Sequence, residues 1–129
     1  MKSNTPLWLP RQQSEDCAHA RAYLGLLFAP RAAAALAKAL GKAPVALHAA
    51  KDIVRAARLA PLPAANAKVA ADLRKVAKGK KMPPILLVRG DAALDLPLIV
   101  ADGMHRLSAA WYADETSEVA CCLVDRPKS

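Results

Sequence analysis

The segment Leu98-Ile99-Val100-Ala101-Asp102-Gly103-Met104-His105-Arg106 constrains the fold of this chain more than any other. An apolar run that reads as a strand meets a single glycine. It then passes into a stretch with Met104, Leu107, Ser108 and Trp111 on one helical face. The first backbone N–H groups of such a helix have no internal partner, and the helix dipole places partial positive charge beside them. Gly103 allows close approach to the backbone, and Arg106 offers a planar fork suited to phosphate. The pattern predicts an anion site at the junction of strand and helix.

The rest of the chain supplies the frame around that junction. Its 129 residues suit one domain with a modest core. Apolar residues make up 54% but aromatics only 4%, so the core is expected to be built from small aliphatic side chains on helices. Residues Met1–Gln13 carry two prolines and no periodicity, and read as an extended arm. A helix is expected from Ser14, as N-cap, to about Phe28, and a second from Pro30 to a cap at Gly41. Further on, the pattern predicts a short strand at Val45–Leu47, a helix over Asp52–Leu59 and an amphipathic helix over Ala65–Lys78. Strands follow at Pro84–Val88 and Leu98–Ala101, then a helix from Asp102 or Gly103 to Trp111 or Tyr112. A last strand is expected at Val119–Val124. Mixed strands and helices in this order predict an α+β fold, a small mixed sheet with packed helices. The expected division is an N-terminal arm with an Ala-rich helical extension over 1–44, a domain over 45–125 and a tail over 126–129.

Cys17, Cys121 and Cys122 show no C-x-x-C or His/Cys zinc spacing, and adjacent Cys121 and Cys122 should face opposite sides of a strand. Reduced thiols fit a cytoplasmic protein. The apolar run Ala22–Ala29 is too short to span a bilayer, so no membrane association is expected. The net charge of +8 favours anionic partners, nucleotide or nucleic acid. His19 and His48 stand isolated and read as ordinary histidines.

Three stretches together resemble the ParB/sulfiredoxin superfamily: Lys80-Lys81-Met82-Pro83-Pro84-Ile85-Leu86-Leu87-Val88-Arg89, Ile99 to Ala110, and Val119 to Val124. The resemblance runs from about Asp52 to Val124 and leaves out the N-terminal helices. Partition proteins of that superfamily carry Gly-Glu-Arg-Arg at the helix start and bind CTP. Sulfiredoxins carry Gly-Cys-His-Arg and bind ATP, and their free-serine kinase relatives carry Asp-Gly-His-His-Arg. Asp102-Gly103-Met104-His105-Arg106 is similar to the last pattern at every position except Met104. A thioether at Met104 cannot act as the sulfiredoxin nucleophile, which argues against that activity. Ala67 follows Asn66 where partition proteins have proline, and no helix-turn-helix pattern follows the match. Sequence-specific plasmid partition by this chain alone is therefore not expected.

The resemblance implies a nucleotide di- or triphosphate, CTP or ATP first, held by Gly103, Met104, His105, Arg106, Ser108 and Lys81. Mg²⁺ would sit at Asp102. If chemistry occurs it is phosphotransfer or nucleotide hydrolysis, with His105, Asp102 and Asp52 as the catalytic candidates. Asp102 also suits the role of helix N-cap. The alternative is a non-catalytic DNA-binding or nuclease-like module. The Ala-rich helices are candidates for homo-oligomer contacts.

Overall fold

The computed structural model describes residues 5–127; the ends of the expected arm and tail lie outside them. A four-stranded sheet carries the fold, in the order β2 (Val45–Ala49), β6 (Glu118–Val124), β4 (Ile85–Val88) and β5 (Ile99–Asp102). β4 and β6 run parallel, and both outer pairs are antiparallel, so the sheet is mixed as expected. All four residues of β4 are buried, which explains its unbroken apolar sequence: it is covered on both faces. β1 (Leu7–Trp8) pairs in parallel with β3 (Lys81–Met82) as a separate two-stranded ribbon.

Side chains alternate across the sheet into two core clusters. Leu86, Val88, Ile99, Ala101 and Cys122 face α1 (Ser14–Leu24) and α2 (Pro30–Lys42). Ile85, Leu87, Val119 and Cys121 face α3 (Ala50–Ala57) and α5 (Met104–Ala113). The adjacent cysteines do point to opposite faces. α4 (Ala67–Ala77) lies outside this layer and packs on α5. Its buried Val69 and Val76 mark the apolar face read from the sequence.

The two N-terminal helices are not a separable extension. Ala20 and Leu24 of α1 and Ala33, Leu36 and Leu40 of α2 share one core with the sheet. Residues 33, 36, 37 and 40 fall on a single helical face, which is why an Ala-rich helix can seal half the sheet. The arm is tied down as well. Trp8 Nε1 donates to the Glu118 carbonyl at 3.1 Å, and the Gln12 amide donates to the Leu40 carbonyl in the last turn of α2 (2.6 Å) and to the Ala43 carbonyl just beyond it (2.9 Å).

Prolines bound the two N-terminal helices. α1 ends at Leu24 rather than near Phe28. Ala29, ahead of Pro30, is held extended, and the chain between turns tightly on itself. α2 runs through Gly41 and stops at Lys42, because Ala43 precedes Pro44 and is extended. Asn66 caps α4, its side-chain oxygen accepting from the N–H groups of Lys68 and Val69 at 3.0 and 3.2 Å. Gly79, at φ 70°, ends the same helix. Among the described residues, no helix is long and apolar enough to cross a membrane.

Candidate functional site

β5 delivers Asp102 at its C-terminal end, Gly103 turns the chain at φ 103°, and α5 starts at Met104. The turn is specific to glycine for two reasons. Side chains rarely adopt that φ, and a Cβ here would lie 2.5 Å from Ile85 Cγ2 and 2.8 Å from Ile85 Cβ. No side chain caps the N-terminus of α5. Its first amides, which lack intrahelical partners by geometry, adjoin a cleft of about 400 Å³.

Four parts of the chain wall this cleft. Asp16 and His19 come from α1, Lys68, Asp72 and Lys75 from α4, Pro83 from the segment before β4, and Asp102, Gly103, His105 and Arg106 from the β5–α5 junction. Three carboxylates, two lysines, an arginine and two histidines line it, so it is mixed in charge rather than uniformly positive.

Arg106 differs from its expected role. Its guanidinium is turned onto two carboxylates, with Nη1 3.3 Å from Asp16 Oδ2 and Nη2 3.2 Å from Asp102 Oδ2. Nη2 also lies 3.5 Å from the Pro84 carbonyl. All three side chains are largely buried, at 14–19% exposure. The contact to Asp16 is an ion pair without hydrogen-bond geometry: Asp16 Oδ2 and Arg106 Nε are both buried without a hydrogen-bond partner. Burial raises the Asp102 carboxyl above its ordinary range. The Arg106 charge pulls it down, and the neighbouring charge of Asp16 pushes it up again. The cations left for a ligand are Lys68, which is exposed, and Lys75, which lies 3.5 Å from Asp72 and is half exposed.

Of the residues read from the sequence, the fold brings Asp102, Gly103, His105 and Arg106 together. It leaves four elsewhere. Ser108 is fully buried; its hydroxyl donates to the Met104 carbonyl at 2.8 Å and accepts from Leu62 N–H at 3.0 Å, so it bridges a loop to α5 rather than reaching the cleft. Met104 packs against the core cluster on the α5 side of the sheet. Lys81 is exposed on β3 and is not part of the cleft wall. Asp52 is exposed on α3, pairs with Lys51 at 3.1 Å and lines a different cavity of about 490 Å³. The two cavities share no residue, which removes Asp52 as a general base at the Gly103 turn.

Sequence reasoning passed over Asp16, His19, Lys68 and Lys75. Asp16 lies in the first turn of α1, where an acid is ordinary, and His19 reads as isolated. Their three-residue spacing does put both on one face of α1, but only the packing of α1 on β5 turns that face toward Asp102. The two lysines signalled only that they lay off the apolar face of α4.

No protein-family model, curated protein or solved structure matches the chain. What the chain can do is therefore set by the residues of this cleft and by the Asp102–Arg106 segment that helps line it.

Proposed function

We propose that the chain binds the phosphate end of a nucleotide in the cleft at the start of α5. The observation that carries this reading is the uncapped first turn of α5, adjoining a cleft whose wall includes Lys68, Lys75 and His105. Backbone amides at a helix N-terminus complement phosphate oxygens. Lys68 adds a point charge, and His105 adds an imidazole that can donate to an oxygen. Arg106 acts here by holding Asp16 and Asp102 in place, not by gripping the ligand. The similarity of Asp102-Gly103-Met104-His105-Arg106 to the phosphotransferring branch of the ParB/sulfiredoxin pattern supports a nucleotide, ATP or CTP, over a bare anion. It makes phosphotransfer or nucleotide hydrolysis the chemistry to assay. Mg²⁺ would travel with the nucleotide.

The test is calorimetric titration with CTP, ATP, ADP and GTP in the presence of Mg²⁺. The wild type should bind one of them, and Lys68→Ala/Lys75→Ala should weaken that binding by about tenfold, the equivalent of ~1.4 kcal/mol. Ser108→Ala should bind as the wild type does, since its hydroxyl is committed to Leu62 and Met104. No binding of any nucleotide, or equal binding by the double variant, would defeat the proposal.

The net charge of +8 favours DNA as a second reading. In that case, binding to a duplex should fall by orders of magnitude as salt rises, because counterion release drives it. The exposed apolar side chains Tyr23, Leu26 and Leu27, at and beyond the end of α1, support self-association through the N-terminal helices.

A further inference from the structure

Asp16, His19 and Asp102 converge from two elements. α1 supplies an Asp-x-x-His pair on one face, and the end of β5 supplies the second carboxylate. One donor atom from each lies within 4.8 Å of the others. Donors bound at ~2.1 Å around one tetrahedral ion sit roughly 3.4 Å apart, so side-chain rotations that draw the three atoms together by about an ångström close the set.

Two further observations bear on what the cluster takes. Two largely buried carboxylates share one guanidinium, so the cluster carries more negative than positive charge. In addition, Asp16 Oδ2 is buried with no hydrogen bond although Arg106 stands beside it. That oxygen has the Arg106 charge 3.3 Å away but no hydrogen bond, so the fold leaves the carboxylate under-satisfied and able to take a further cation on its second oxygen. Arg106 contacts one oxygen of each carboxylate, and each carboxylate has a second oxygen. The guanidinium can therefore orient both groups while an ion is bound, as partners behind metal ligands commonly do.

We infer that Asp16, His19 and Asp102 form a site for a divalent transition-metal ion. The donor set of two carboxylate oxygens and one imidazole nitrogen suits Mn²⁺, Fe²⁺ or Zn²⁺ better than Mg²⁺ or Ca²⁺, which take oxygen ligands. Its three protein donors leave further coordination positions for water or a ligand in the adjoining cleft. The inference goes beyond the phosphate reading and does not require it.

The experiment titrates Mn²⁺ alone into untagged, chelator-treated protein and follows loss of the free-ion electron paramagnetic resonance signal. Mn²⁺ is the probe because it discriminates against the three thiols, which would also take Zn²⁺. One equivalent should bind, and His19→Ala should weaken binding by tenfold or more. His19 is exposed, so the variant should fold normally, and circular dichroism checks that it does. His48→Ala, which alters an exposed histidine on β2 outside this cleft, should bind as the wild type does. Absence of binding at millimolar Mn²⁺, equal binding by His19→Ala, or equal loss in His48→Ala would overturn the site. Because no nucleotide is present, each of these outcomes leaves the nucleotide titration to be judged separately.

Discussion

Replacing Gly103 with alanine should be among the most damaging single-methyl additions available to this protein. The new Cβ would lie 2.5 Å from Ile85 Cγ2 and 2.8 Å from Ile85 Cβ, well inside van der Waals contact. Ile85 cannot move aside easily. It is fully buried on β4, which pairs with β5 on one side and β6 on the other, and its Cβ is fixed to the backbone. Forcing a methyl into such a contact costs about 1–3 kcal/mol. Holding a non-glycine residue at φ 103° costs about 1–3 kcal/mol more, because the side chain crowds its own backbone there. The sum, roughly 2–6 kcal/mol, is a large part of the 5–15 kcal/mol that stabilises a typical domain. Urea unfolding followed by the fluorescence of Trp8 and Trp111 should therefore show a much lower midpoint at unchanged slope. A loss below about 0.5 kcal/mol, the level of an ordinary surface substitution, would refute both the contact and the backbone argument.

Two further outcomes follow from the titratable groups. The Asp102 carboxyl sits above its ordinary 3.8 first through burial, and then through the charge of Asp16, against the opposing pull of Arg106. The native state therefore holds that proton longer than the unfolded chain does, so this group's contribution to stability falls as pH climbs from about 3.8 through the raised value and is level above it. Asp102→Asn should remove that decline, so the difference in urea midpoint between variant and wild type should drift in the variant's favour over this interval; a constant offset from about pH 3.5 to about pH 7 would contradict it. The thiols of Cys121 and Cys122, both fully buried, are pushed up to about 11, chiefly by burial. A thiol reagent near pH 8, with the products mapped by mass spectrometry, should modify half-buried Cys17 in the native protein and the other two only on unfolding; rapid labelling of Cys121 or Cys122 would disprove it.

The sheet was legible in the sequence because its strands are long enough to show a pattern. Val119 to Val124 predicted a strand whose paired cysteines split across two faces, and β6 places them so. β1 and β3 were not legible: two residues each are too few for any periodicity, and each becomes a strand only because the other lies beside it. The same division runs through the cleft. Asp102, Gly103, His105 and Arg106 lie within one short segment, and the four-residue spacing of Asp102 and Arg106 allows their contact. The approach of Asp16 to Arg106 depends on how α1 crosses β5, which no local pattern encodes. Ser108 divides the same way: the bond from its hydroxyl to the Met104 carbonyl one turn earlier follows from helical spacing, whereas the contact from Leu62 N–H depends on the fold.

The Ala-rich helices seal one face of the sheet, and α1 also supplies one wall of the cleft. Release of this helix from the sheet would therefore uncover apolar core and dismantle the candidate site in a single event. Anything bound between Asp16 and Asp102 acts as a rivet across that seam. Its occupancy should be measurable as slower amide exchange along α1, far in sequence from the Asp102–Arg106 motif.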